Sequence, residues 1–528
     1  MTTNAYDVIV VGAGHNGLVA AAYLAKAGQR VLVLEQRPMV GGAAVTEEMF
    51  PGFRVSTVAD GSGYLSADVV GDLDIDSRVD FVSSDVVAFC PQPDGSQLTI
   101  WRDVERTAQE IARFSTEDAQ SYPRFVALMD QIAQVMAAQM ELTPPELPHL
   151  GLSDARAGVG LLGPVRRLGR KQIGELLRVL TMSVEDLLSE YFESSPVKAA
   201  IGASSVLNIT WGPREGGTAF TMLGNWALGG TGTFRSAGVV RGGMGALTGA
   251  LAEAAQEFGA EIRTSSAVDH VLVDDGRAIG VVLENGDEVR AAVVASNADP
   301  RVTFHKLVEP RLLDAGFLRG LGAIKYRGSA ARVHLALTHL PEFTALGTND
   351  AELLRGPIQI APSLDYVQRA YDSTKYGRSS DRPYLDMLIP TLSDPTMAPD
   401  GQHVMSITAK YAPYQLRDGT WDLHREAFGD VVVDTLADYV PGIREAILHR
   451  EVLTPVDLET RFGLVEGNPN HGEMTLDQIF HMRPVAGYAR YRTPVEGLYL
   501  CGAGTHPGGG VTGLPGHNAA REILADVG

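Results

Sequence analysis

The sequence predicts an α/β protein built on a parallel nucleotide-binding sheet, with a mixed portion of strands and helices interleaved through it. Three observations carry this reading. A valine-rich run ends in a glycine turn at residues 6–17, a helix and a second apolar strand follow as far as Glu35, and glycine-dense segments recur near residue 240 and at the C-terminus. At roughly 150 residues per domain, 528 residues suffice for two or three domains with a large core.

Composition narrows the function classes. Hydrophobic residues make up 45% and charged residues 20%, as in folded globular proteins. The formal charge of -20 argues against a general affinity for nucleic acid or anionic membranes. Cys90 and Cys501 are far apart and no C-x-x-C occurs, so neither a dithiol redox motif nor a zinc site is expected, and both read as small core residues. The opening MTTNAYDVIVVGAG has no basic stretch, so no secretory signal is expected. No run of about 18 apolar residues occurs, which predicts no transmembrane helix and a cytoplasmic, reducing location.

Residues 6–11 read as a short strand buried on both faces. Gly12, Gly14 and Gly17 then complete G-x-G-x-x-G. The first permits a tight strand-to-helix turn, the second lets backbone approach a pyrophosphate, and the third lets the helix pack closely on the sheet. Residues 18–26 are helix formers ended by Ala27 and Gly28, and RVLVL is a second strand finishing on Glu35. The helix N-terminus offers free N–H groups and a positive dipole end to phosphates. Glu35, 23 residues after Gly12, stands where a carboxylate accepts hydrogen bonds from a ribose diol and repels a 2′-phosphate. Strand, helix, strand and acid in this order predict a Rossmann-like dinucleotide site. Gly41 and Gly42 form a second close-approach turn that a simple NAD dehydrogenase does not need, which favours FAD.

Residues 71–200 are rich in helical patterns, with amphipathic stretches at 103–113 and 122–140. Between Arg156 and Arg178 lie Arg166, Arg167, Arg170 and Lys171, opposed by Glu175 alone. This local reversal of sign reads as a solvated helix face or subunit contact, with a peripheral membrane or partner contact as the alternative. The segment 212–245 ends VVRGGMGAL, but no buried strand precedes Gly243 and no acid closes the unit, so no second dinucleotide site is expected. A helix at 246–258 and a strand starting at 261 lead into an antiparallel meander of 268–273, 278–283 and 288–294, after which a strand at 291–295 runs into SNADP. Residues 311–455 mix strands at 331–337, 385–389 and 403–409 with helices such as 426–439, and carry no nucleophile elbow, metal spacing or P-loop. A last buried strand at 497–501 precedes GAGTHPGGGVTGLPG and a helix reaching residue 527. Seven of the 58 glycines crowd that loop and present backbone N–H groups to an anion or a ring edge.

Together the N-terminal unit, RGGMGAL, SNADP and LYLCGAGTHPGGGVTG resemble the phytoene-desaturase branch of the flavin amine-oxidase superfamily. HGEMTLDQIF, with HMRP and the PGGG loop after it, is most similar to the pyridine nucleotide-disulfide oxidoreductase domain-containing proteins of that branch. The resemblance implies a Rossmann-like FAD-binding domain of the glutathione-reductase/amine-oxidase type, assembled from residues 1–70, 226–310 and 456–528. A mixed sheet and helical substrate domain would come from 71–225 and 311–455. It implies that Gly12, Gly14, Gly17, Glu35, Arg37, Gly41 and Gly42 hold the ADP half and pyrophosphate, joined by Ala13, Asn16, Gln36, Ala43 and Ala44 of the same motifs. Val268 matches the residue whose backbone meets adenine. Gly502 and Ala503 would lie along the ribityl chain, and Gly510, Val511 and Thr512, at the start of the last helix, at the flavin pyrimidine edge. Ala503 stands where many flavoproteins carry an acid.

Hydride chemistry belongs to the flavin, while the protein orients the substrate C–H and excludes water. Arg332 falls at roughly the position where flavin amine oxidases keep a lysine, and His471 and His506 fall in loops the resemblance places near the flavin. These three are the candidate catalytic residues, each with a structural alternative: a strand-end salt bridge, a hydrogen bond, or a shaped turn. No metal is expected. The reading that results is an FAD-dependent oxidoreductase dehydrogenating or desaturating a mostly apolar, lipophilic organic substrate, with oxygen or a quinone-like acceptor. An FAD-dependent isomerase, an amine oxidase-like flavin oxidase and a non-catalytic flavin-containing interaction protein stay open as alternatives.

Overall fold

The computed structural model describes residues 6–60, 65–145, 163, 172–229, 233–235, 238–346 and 350–528. Most of the basic segment 156–178, including Arg166, Arg167, Arg170 and Lys171, lies outside the described residues. Among those described, no helix is long and apolar enough to cross a membrane.

Two sheets organise the chain. The first has five strands, in the order Leu498–Leu500, Val293–Ser296, Val8–Val11, Val31–Leu34 and Glu261–Arg263. Every pairing in it is parallel. Its central strands are buried on both faces, which is why they read as unbroken apolar runs. Val8, Val10, Val33 and Ala295 pack beneath the helices His15–Lys26, Met244–Glu257 and Leu514–Val527. Ile9, Leu32, Val294 and Leu500 face a three-stranded antiparallel sheet through Val271 and Val281.

That antiparallel sheet is Val268–Asp274, Arg277–Leu283 and Glu288–Arg290. The overlapping strands expected at 288–294 and 291–295 are two separate ones, parted after Arg290. Glu288–Arg290 stays half-exposed in the meander, whereas the fully buried Val293–Ser296 crosses into the parallel sheet, the place where both faces of a strand are covered. Two further boundaries move. The first helix begins at His15, so Gly17 lies inside it, and the last begins at Leu514, leaving Val511 and Thr512 in the preceding loop.

The second sheet has seven strands: Ile447–Leu453, Ala330–Leu337, His403–Lys410, Tyr384–Leu388, Ile358–Ile360, Val86–Pro91 and Gln97–Trp101. Its two faces differ in chemistry. Val333, Leu335, Leu385, Met387 and Ile407 bury against Phe428, Val432 and Leu436 of the helix Trp421–Ala437. The alternate positions, Arg332, His334, Asp386, Ser406, Thr408 and Lys410, point the other way. Around the sheet edge, Thr116–Met140, Ser195–Gly202 and Thr218–Gly229 close over Phe125, Phe192 and Trp226. Cys90 and Cys501 are both buried, and burial pushes each thiol up to about 12.

The last helix reaches the first through a close backbone contact. A Cβ on Gly516 would overlap the carbonyl oxygen of Asn16. Gly516→Ala must therefore push the two helices apart, at a cost of about 1–3 kcal/mol. A lowered melting temperature and a lower bound-flavin ratio by visible absorbance are the expected outcome.

Candidate functional site

The parallel sheet ends, on its carboxyl side, in a cleft. The turn after Val8–Val11 and the segment after Val293–Ser296 meet there, which is the crevice where open α/β sheets bind ligands. It encloses about 1030 Å³ of atom-free space, partly open to solvent. Of the predicted cofactor residues, Gly12, Gly14, Asn16, Glu35, Gln36, Arg37, Gly41, Gly42, Ala43, Val268 and Ala503 line it. Ala13, Gly17 and Gly502 do not, and their parts differ. The Ala13 N–H donates to Glu35 Oε2 at 2.8 Å. A Cβ on Gly17 would overlap the Gly12 carbonyl oxygen, and one on Gly502 would stand 2.6 Å from that of Asn297.

Glu35 is 5% exposed. Its Oε1 accepts from the Arg37 N–H at 2.9 Å, so two backbone amides fix both oxygens and leave lone pairs for a diol. Arg37 bonds Glu47 at 2.8 Å and the Gly42 carbonyl at 3.2 Å, bracing the second glycine turn. Four buried polar atoms of residues lining this cleft have no partner among the described residues: His15 Nε2, Asn16 Oδ1, Asp299 Oδ2 and His471 Nδ1. Unpaired groups of this kind are costly unless a ligand satisfies them. With the helix N-terminus at His15, they fit a dinucleotide.

A second cavity of about 1510 Å³ of atom-free space shares His15, Ala43 and Ala503 with the first, and adds Ala44, Gly510 and Val511. The polar face of the seven-stranded sheet forms one of its walls. A third, of about 750 Å³, shares Asn208, Asn470, Gly509 and Gly510 with the second and includes Thr512. The three candidate catalytic residues are thus not brought together: His471 lines the first cavity, Arg332 the second and His506 the third.

Burial, aided by Arg483, pulls His471 down to about 4, and burial does the same to His15, with His471 adding to it. His506 also falls to about 4, its Nε2 lying 3.2 Å from the Gln139 carbonyl oxygen. All three imidazoles are neutral near pH 7. Asp299 is pushed up to about 6 by burial, against hydrogen bonds of 2.7 Å from the Tyr326 hydroxyl and the Arg301 N–H. Arg332 donates to Asp60 and Thr408.

The whole chain matches known flavoproteins. The family model described as flavin containing amine oxidoreductase matches residues 17–524. This chain belongs to the flavin containing amine oxidoreductase family. Pyridine nucleotide-disulfide oxidoreductase domain-containing protein 2 of Rattus norvegicus is 36% identical over 99% of this chain and 94% of its own length. The neurosporene-forming phytoene desaturase of Cereibacter sphaeroides is 26% identical over 99% of this chain and 95% of its own. Among solved structures, an oxidoreductase from Methanosarcina mazei shares the fold, with a TM-score of 0.62 and 18% identity over 98% of this chain and 100% of that one. This family member is an FAD-dependent oxidoreductase.

Sequence reading missed several residues of the site. Asn297 and Asp299 follow a parallel strand directly, and that position marks them. Lys410, 1% exposed, lines the second cavity, but its Nζ donates to the carbonyls of Val206 at 2.5 Å, Leu207 at 3.2 Å and Ile209, which takes up all three N–H groups. Arg483 is 2% exposed and donates to the carbonyls of Asn470, Gly472, Glu473, Gln478 and Ala503. It ties the His471 loop to the C-terminal glycine loop.

Arg483→Lys keeps the charge but offers three donors in place of a planar five-donor fork. The apparent Kd for FAD should rise at least about tenfold, read by fluorescence titration of the apoprotein. Acid should also weaken the fold. Unfolded imidazoles take up protons below about 6.5, whereas the buried His15, His471 and His506 do so only near 4. Stability is therefore full above pH 6.5 and lost as pH falls towards 4, by up to about 3 kcal/mol per histidine. Melting temperature measured across pH 7 to 4 checks this.

Proposed function

We propose that the enzyme dehydrogenates or desaturates a mostly apolar organic substrate by hydride transfer to flavin N5, with oxygen or a quinone-like compound as the final acceptor. The observation that carries this reading is the run of three linked cavities. The first has the shape and partners of a cradle for the ADP half of FAD, with residues 1–70, 226–310 and 456–528 supplying that domain. The second meets it at His15, Ala43 and Ala503, and the third leads away from the glycine loop between Met136, Met140, Phe220, Leu228 and Met474. Bound FAD supplies the hydride acceptor. The chain's own residues hold the substrate against the ring and exclude water.

In this reading Gly510, Val511 and Thr512 border the flavin pyrimidine edge, Gly502 and Ala503 the ribityl chain, and Val268 the adenine. Arg332 acts at the substrate side of the ring. His471 and His506 shape the site as neutral hydrogen-bonding groups, since both titrate near 4. The desaturation named in the phytoene desaturase relative supports the reaction class.

Anaerobic titration of the FAD-loaded protein with a library of lipophilic alcohols, alkenes, acids and terpenoids tests the proposal. Bleaching of the visible flavin bands by at least one compound, with recovery on admitting oxygen or a quinone, is the expected result; no bleaching by any class would end it. The three histidines should add no inflection to the reduction rate between pH 5.5 and 8, because they are already neutral there, so any inflection at 6–7 belongs to Asp299 or Lys410. An inflection near 6.5 that His471→Gln abolishes would instead assign that imidazole a proton-transfer role.

A further inference from the structure

A charged wall borders the second cavity. Arg332, Thr408 and Asp386 are direct neighbours across three strands of the seven-stranded sheet, and Lys410 stands between Ala330 and Tyr384 in the same face. Arg235 forks onto Asp386 through contacts of 2.6 and 2.9 Å, and the Tyr384 hydroxyl adds a third at 3.0 Å. Arg332, 5% exposed, donates to Thr408 and Asp60, while its Nε–H has no partner among the described residues. Of the five N–H groups a guanidinium carries, three thus have no partner among the described residues.

Four arginines line this cavity, Arg235, Arg327, Arg332 and Arg355, with Lys410, which burial lowers to about 7, and the carboxylates Asp60 and Asp386. Each arginine has an acid partner, Asp386, Glu473, Asp60 and Glu352 in turn, so the fixed charges balance and the wall is polar without a net sign. Withdrawing the charges of Arg235, Asp386 and Arg332 from water costs several kcal/mol per ion, so a chamber that receives only hydrocarbon gains nothing from them. The cavity's other end is different: past Asn208 and Asn470 it joins the methionine-lined third cavity, an apolar and adaptable surface.

We infer that the substrate is an amphiphile, with an apolar body in the methionine-lined chamber and a carboxylate at the end facing Arg332. The inference rests on the dehydrogenation reading and specifies its substrate class. Spare donors on a buried guanidinium suit a planar carboxylate, which accepts two of them side by side. An ammonium group donates only and could not accept from Arg332, and a hydrocarbon would leave the Arg332 donors unmet.

The test uses the full-length, FAD-loaded protein and four probes, decanoate, decanol, decylamine and decane. Binding is read from perturbation of the flavin spectrum and from thermal shift. Decanoate should bind at least about tenfold tighter than decanol or decylamine, and shortening it to octanoate and hexanoate should weaken binding about fourfold per methylene removed. Arg332→Met should weaken decanoate by about 10- to 100-fold and decanol by less than about threefold. Leu228→Trp, which fills the apolar chamber without touching the charged wall, should flatten the chain-length dependence and serves if the Arg332 variant does not fold. Decanol or decylamine binding as tightly as decanoate, no response to decanoate up to its solubility limit, or undiminished decanoate affinity in Arg332→Met would each overturn the inference. Decanoate binding with this pattern, while no library compound bleaches the flavin, would sink the dehydrogenation reading and leave the substrate class standing.

Discussion

The guanidinium of Arg483 is the interaction on which the rest of the site is hung. Residues 465–482 contain only single 3₁₀ turns, with no sheet ladder to hold them. Five carbonyls, from Asn470, Gly472, Glu473, Gln478 and Ala503, converge on one buried cation instead. Burial lowers its pKa only to about 10, with Tyr326 and Asp299 opposing the shift, so it stays protonated at working pH. A buried cation is tolerable only when its donors are spent in this way. The same charge depresses His471 and His506, so the group that fixes the loop also helps keep the site's imidazoles neutral.

The seven-stranded sheet adds a second constraint. Its period of two sends Val333, Leu385 and Ile407 into the core and Arg332, Asp386 and Thr408 towards the cavity. A slip of one residue in any of these strands would bury the charges against Trp421–Ala437 and expose the valines and leucines to the ligand side. Packing on one face therefore registers the chemistry on the other. The close contacts of Gly17 on Gly12 and of Gly516 on Asn16 do the same for the parallel sheet, setting the first turn between the first and last helices.

How much of this could be read from the sequence follows from how local each signal is. The first turn, its helix, the second strand and Glu35 are contiguous, and their order alone points to the cleft that these residues line. Boundaries failed where the chain changes partners: residues 288–296 run almost without a break through two sheets, from the half-exposed Glu288–Arg290 to the buried Val293–Ser296, and the last helix starts late because Gly513 takes a left-handed conformation, at φ 74°, ahead of it. Arg235 and Asp386 are 151 positions apart, and Lys410 finds its carbonyls about 200 positions away, so no spacing rule could pair them. HMRP was visible as a motif, but the part played by its arginine lies in five carbonyls that only the fold assembles.

The cradle's electrostatics follow from the same geometry. Among the described residues lining the first cavity the one arginine is Arg37, and it is already committed to Glu47 at 2.8 Å. His15 and His471 are neutral near pH 7, and Glu35 is an acid held by two amides. Side-chain cations therefore contribute little to holding a pyrophosphate here. In the proposed cradle the attraction would come from the N-terminus of the helix His15–Lys26, whose first-turn N–H groups and dipole act over a few ångströms inside a partly desolvated cleft. Charge of that origin is fixed to backbone and costs no reorganisation, which is why the turn tolerates so little extra bulk and why the helices packed behind it matter as much to cofactor binding as the residues that touch the ligand.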